Sequence, residues 1–143
     1  LYGRRGFFQY QCAVPEGAAG RGALGAILSR IGASGQGSFL SVLKRFGAAP
    51  AVGLMSFPRP GTTLALDFPN RGSSTLELLA SLDGLVASAG GRVYPAKDAR
   101  MSPQSFRAFY PEWDAFSAFV DPKFSSSFWR RVTGGAAMPL RHA

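Results

Sequence analysis

The chain has 143 residues, a net charge of +8 and an apolar fraction of 46%, which suits one domain with a core of its own. A single cysteine (Cys12) and a single histidine (His142, in the expected tail) leave no internal disulfide. They also argue against a Cys/His zinc cluster and against Ser-His or Cys-His nucleophilic catalysis.

No apolar run approaches the ~20 residues that cross a bilayer. The basic start, Leu1 to Arg5, leads into no apolar stretch of a signal peptide. The chain therefore reads as a soluble, cytoplasmic fragment or domain of something longer, with peripheral membrane contact left open. The positive charge suits an anionic partner. Yet the basic residues are scattered, and all but Lys44, Lys97 and Lys123 are arginines, so the charge reads first as a matter of composition.

Residues 6–14 alternate as a strand, with Phe8, Tyr10, Cys12 and Val14 on one face and Phe7, Gln9, Gln11 and Ala13 on the other. Pro15 ends it. Residues 16–33 follow a weak helical pattern through Leu24, Ile27, Leu28 and Ile31, diluted by Gly20, Gly22 and Gly25. A second strand is expected over 38–46, with Leu40, Val42, Lys44 and Phe46 sharing a face. A lysine in register with large apolar groups either snorkels to water or meets an anionic ligand.

A Pro/Gly/Ala-rich loop over 47–61 precedes a third strand over 62–68, where Leu64, Leu66 and Phe68 oppose Thr63, Ala65 and Asp67. A helix over 74–89 carries the stripe Leu78, Leu82, Leu85, Val86 and Ala89, stopped at Gly90. A fourth short strand spans 92–94. The succession β-α-β-β-α-β predicts an α+β fold with an antiparallel, ferredoxin-like sheet.

A mostly helical C-terminal segment follows. Ser102 caps a helix with Pro103 at its first position. Pro111 opens another, bearing Trp113, Phe116 and Phe119. Asp121-Pro122 marks a turn, a last short helix falls within 124–132, and the chain frays from Gly134. So many aromatic residues need a surface to bury against, and in isolation they would leave an apolar patch exposed.

Several short motifs stand in a fixed order: Gln9-Tyr10-Gln11, Phe39 to Gly47 (Phe-Leu then Lys-x-Phe-Gly), Ser56-Phe57-Pro58-Arg59-Pro60-Gly61, Asp67-Phe68-Pro69 and Gly90-Gly91-Arg92-Val93-Tyr94-Pro95-Ala96-Lys97-Asp98. Phe106 to Pro111 and Val120 to Ser126 complete the series. In this order the chain resembles the C-terminal part of FAD-dependent oxidoreductases of the vanillyl-alcohol-oxidase type. Within that type it is most similar to the decaprenylphosphoryl-β-D-ribose 2′-oxidase group, with the aldonolactone oxidases as a further relation. It departs from the group pattern at Thr62 and Thr63 (commonly Trp-Asn), at Ala65 (often Cys) and at Ser127 (commonly Asp).

The resemblance implies that residues 1–92 belong to a substrate or cap domain. Residues 93–143 would return to an N-terminal FAD-binding domain that this chain lacks. It implies FAD as cofactor, contacted by Tyr94 and Lys97, with Lys97 also the catalytic residue. Gln9, Gln11, Lys44, Phe46 and Thr63 would line the pocket for a sugar or polyprenyl-phosphate-sugar-like substrate. No metal is implied. Hydride transfer from a secondary alcohol builds negative charge on a flavin, which a fixed ammonium stabilises, and amides read sugar hydroxyls as donor and acceptor together. The proton acceptor for the hydroxyl is not evident, unless neutral Lys97 or the absent portion supplies it. A second reading is a freestanding α+β module for an anionic ligand or RNA, but no strand carries the basic and aromatic run of an RNA-binding sheet.

Overall fold

Alternation along the strands decides how the sheet is covered. In the computed structural model, which describes residues 2–121 and 123–134, four strands form one antiparallel sheet: β1 (Phe7–Pro15), β2 (Ser41–Phe46), β3 (Gly61–Pro69) and β4 (Arg92–Val93). Their order is β2-β3-β1-β4, so β3 inserts between the two strands that the first helix connects. The expected α+β class and element succession are both present, although β4 is a two-residue stub.

Two long helices, α1 (Ala18–Ser34) and α2 (Ser73–Ser88), pack with the sheet. Tyr10, Cys12 and Val14 of β1 and Leu64, Leu66 and Phe68 of β3 are all buried, at 4% exposure or less. They join Leu78, Leu79, Leu82 and Val86 of α2 in one core. Burying a large apolar side chain is worth ~1.5–3 kcal/mol. The contribution of α1 is thinner than its spacing predicted: Ile27 is buried, Leu24 and Ile31 are partly so, and Leu28 is 51% exposed.

The Gly90-Gly91 pair does two jobs. Gly90 leaves α2 at φ +68°, and its N–H donates to Ala87 O at 2.9 Å. Gly91 donates to Val86 O at 2.8 Å, and a Cβ there would stand 2.5 Å from Ala13 O. A glycine is therefore required for the chain to turn from α2 onto β1.

The C-terminal segment forms α3 (Pro103–Phe109), α4 (Trp113–Ser117) and α5 (Ser127–Thr133). Ser102 caps α3 as expected, its Oγ accepting from Ser105 N at 3.0 Å. Part of the aromatic set finds its surface within the chain: Phe106, Phe109 and Tyr110 are buried in the same core as the sheet, and Tyr110 Oη donates to Val93 O at 2.9 Å. The expected helix from Pro111 is shorter than predicted. Phe119 lies beyond its end and is 80% exposed, as is Phe124 at 76%. Asp121 makes the expected turn, its carboxylate accepting from Lys123 N. Of the tail expected from Gly134, Gly134 itself ends α5 at φ +74°; the rest, with His142, and Pro122 lie outside the described residues.

Candidate functional site

The sheet face turned away from the core carries Gln9 and Gln11 of β1, Thr63, Ala65 and Asp67 of β3, and Val42 and Lys44 of β2. Register brings them together: Gln9 pairs with Asp67, and Lys44 with Thr63. A recess of about 100 Å³ opens there, lined by Gln9, Gln11, Lys44, Thr63, Asp67 and Lys97, with Leu40 and Val42 on the β2 side. Lys97 comes from the 3₁₀ turn Pro95–Lys97 that follows β4. Five of the expected site residues, far apart in sequence, thus share one cavity.

Its polar walls are held by direct hydrogen bonds. Gln11 Nε2 donates to Thr63 Oγ1 at 3.1 Å, and Gln9 Nε2 donates to Asp67 Oδ1 at 3.3 Å. Tyr2 Oη donates to the other Asp67 oxygen at 3.4 Å. Among the described residues the ion pairs are Arg45–Glu16, Arg92–Glu112, Arg100–Asp83 and Arg131–Asp98. Neither Lys44 nor Lys97 takes part. Lys97 pairs with neither Asp98 nor Asp67, the carboxylates nearest to it in sequence and in the recess.

Phe46 and Tyr94 do not line the recess. They meet on Phe57 of the 47–60 loop instead: Tyr94 stacks on its ring at 4.7 Å between centroids, and Phe46 meets it edge-on at 5.9 Å. Tyr94 N donates to Gln11 O at 2.7 Å, which ties this aromatic cluster to the strand bearing both glutamines. Phe57 is buried at 4% exposure, and no periodicity in its loop marked it.

Asp67 is the residue that sequence reasoning passed over. Alternation placed it on the correct face, but its role depends on the β1–β3 register. Among the described residues it supplies the one carboxylate that lines the recess. Cys12 offers no nucleophile: it points into the core, and burial pushes its thiol up to about 12. A more open crevice of about 360 Å³ lies between the 48–60 loop, Arg92 and Glu112, and holds none of the expected site residues. Among the described residues no cluster of His, Cys, Asp and Glu could hold a metal ion. No described helix is long and apolar enough to cross a membrane.

The α+β class agrees with what the ordered motifs lead one to expect of the C-terminal part of an FAD-dependent oxidoreductase. Comparison with curated proteins bears the resemblance out. Over 137 residues, 92% of the chain, it is 40% identical to decaprenylphosphoryl-beta-D-ribose oxidase of Mycolicibacterium smegmatis. The match falls on the C-terminal part of that protein, and the chain spans 29% of its length. A stretch of 85 residues, 56% of the chain, is 44% identical to an "Uncharacterized protein in mprA 5'region" of Streptomyces coelicolor, of which it covers 23%. No family model matches.

Proposed function

We propose that this chain is the substrate-side, C-terminal portion of an FAD-dependent oxidoreductase that oxidises a secondary alcohol of a sugar or sugar-like substrate. Residues 1–92 form the substrate wall, and the segment from 93 returns to an FAD-binding domain elsewhere in the polypeptide. The observation that carries this reading is the convergence of Gln9, Gln11, Lys44, Thr63, Asp67 and Lys97 on one recess.

The residues present fit the cofactor. Lys97 has no carboxylate pair among the described residues, so its charge is free to face an anionic group, and Tyr94, three residues before it and outside the recess, has one ring face stacked on Phe57. Lys97 and Tyr94 would hold FAD at this edge. Bound FAD supplies the hydride acceptor. Lys97 stabilises the negative charge that develops as the alcohol is oxidised. Asp67, buried at 8% exposure and steadied by Gln9 and Tyr2, accepts the hydroxyl proton as general base. Gln11 and Thr63 read neighbouring hydroxyls, and Lys44 meets an anionic substituent such as a phosphate. The decaprenylphosphoryl-ribose substrate in the relative's name has both a sugar and a phosphate. The substitutions at Thr63 and Ala65 leave room for a different sugar.

The test uses the complete product of the reading frame that encodes this chain. It should purify yellow, and a matching sugar alcohol should bleach the flavin absorbance under anaerobic conditions. A product without flavin, or one that no sugar or polyol of a broad panel bleaches, overturns the reading.

A further inference from the structure

Lys97 lines the recess, but the residue after it turns inward. The side chain of Asp98 is 2% exposed. Its carboxylate accepts the backbone N–H groups of Arg100 at 3.2 Å and Met101 at 2.9 Å. Arg131 of α5 closes the arrangement, with Nη2 2.6 Å from Asp98 Oδ2 and Nε donating to Met101 O at 3.3 Å. Arg100 is fastened in turn to Asp83 of α2 by two hydrogen bonds, at 2.6 and 2.7 Å. The loop that carries Lys97 is therefore clamped from α2 and α5, and neither helix contributes a residue to the recess.

A buried carboxylate is costly unless paired and hydrogen-bonded. Asp98 meets both conditions through groups that hold its own loop in shape. The neighbouring 3₁₀ turn has little else to fix it: Lys97 N bonds Tyr94 O at 3.3 Å, and Asp98 N bonds Pro95 O at 3.1 Å. A flexible four-carbon side chain reaches a defined point only if its backbone is fixed.

We propose that Asp98 and Arg131 are positioning residues for Lys97, so that α5 sets where the ammonium stands in the recess without touching it. This rests on the reading of Lys97 as the flavin-side cation. It adds a control point in the last described helix that neither the motifs nor the recess lining reveal.

The experiment compares Lys97→Met, Arg131→Met, Arg131→Lys and the double variant Lys97→Met/Arg131→Met in the complete flavin-loaded protein. Arg131→Met should lower kcat about 10- to 100-fold, the scale expected of a misplaced group. It should shift the flavin midpoint potential in the same direction as Lys97→Met. It should also speed amide exchange at Arg100 and Met101 relative to β1 and β3. Arg131→Lys should recover part of each effect. In the double variant kcat should fall no further than in Lys97→Met alone, as for residues acting through one group. Should Arg131→Met fail to fold, Asp98→Asn takes its place, since it removes the charge pair and keeps an oxygen for the backbone.

Multiplicative losses in the double variant, or a lowered Tm with an unmoved potential, reduce the clamp to a structural role and overturn the proposal. A defective Lys97→Met beside a normal Arg131→Met overturns it alone. If Lys97→Met itself keeps wild-type kcat and potential, the flavin-side reading of Lys97 fails, and the proposal falls with it.

Discussion

The two faces of the sheet are made from alternate residues of the same strands, and they have opposite fates. On one face, Tyr10, Cys12, Val14, Leu64, Leu66 and Phe68 vanish into a single core under the helices. On the other, Gln9, Gln11, Thr63 and Asp67 bond to one another around a recess and leave two lysines without ion pairs among the described residues. A sheet face with no function tends toward scattered, independently solvated polar groups. Here the polar groups are ordered across strands, which is costly in side-chain entropy and is offset in part by the cross-strand bonds themselves; under the proposed function a substrate would offset the rest.

Adjacent residues on β3 put this contrast to its strongest test. Asp67→Asn removes the proposed proton acceptor and should lower kcat by about 10²–10⁴-fold, the range of general-base catalysis, while Tm stays close to wild type. Steady-state kinetics beside calorimetry would read both. Phe68→Ala, one residue on and on the opposite face, should cost ~3–5 kcal/mol of stability and leave the per-molecule kcat of the folded fraction largely unchanged. If Asp67→Asn destabilised as much as Phe68→Ala, the two faces would not be functionally distinct.

Smaller effects sharpen the boundary between the faces. Gly91→Ala forces a Cβ against Ala13 O and Val86 Cγ1 and should destabilise by ~1–3 kcal/mol, as overpacking does; chemical denaturation would show it. Glu112 gives a pH signature. Burial alone would raise its carboxyl, but its own backbone N–H, the Arg92 guanidinium at 2.9 Å and Arg59 together hold it below its ordinary value. A carboxyl lowered by folding stabilises at pH above its unfolded range, and that contribution disappears as pH falls through its folded value. Glu112→Gln should therefore flatten the acid limb of Tm against pH, with a small effect near neutrality, since the carboxylate is 41% exposed.

Strand identity and facing were legible because period-two alternation is a local signal. So were α2 and the cap at Ser102. The second strand begins later than its alternation suggested, at Ser41. Ser38 spends its hydroxyl as the acceptor for Asp67 N at 2.8 Å, so the approach to β2 is tied by a side chain where a ladder was expected. The stripe on α1 promised more burial than Leu28 receives. Of the site, the resemblance assigned a role to five of the six polar residues that meet in the recess; Asp67 stood in a motif but was given none. Asp67, the Phe57 bridge between Phe46 and Tyr94, and the Asp98–Arg131 pair escaped, because each depends on register or on contact between segments distant in the chain.

The sheet also ends unevenly. On one side β4 is a two-residue stub that leads straight into a tight turn, leaving almost no backbone for a foreign strand to copy. On the other, β2 pairs with β3 along one flank, and among the described residues the other flank of its six residues pairs with no strand. Exposed edges of this kind invite strand addition between molecules, and basic side chains oppose it. Lys44 and Arg45 stand on this edge. Whatever Lys44 does in the recess, replacing it and Arg45 with alanine should show first as loss of solubility.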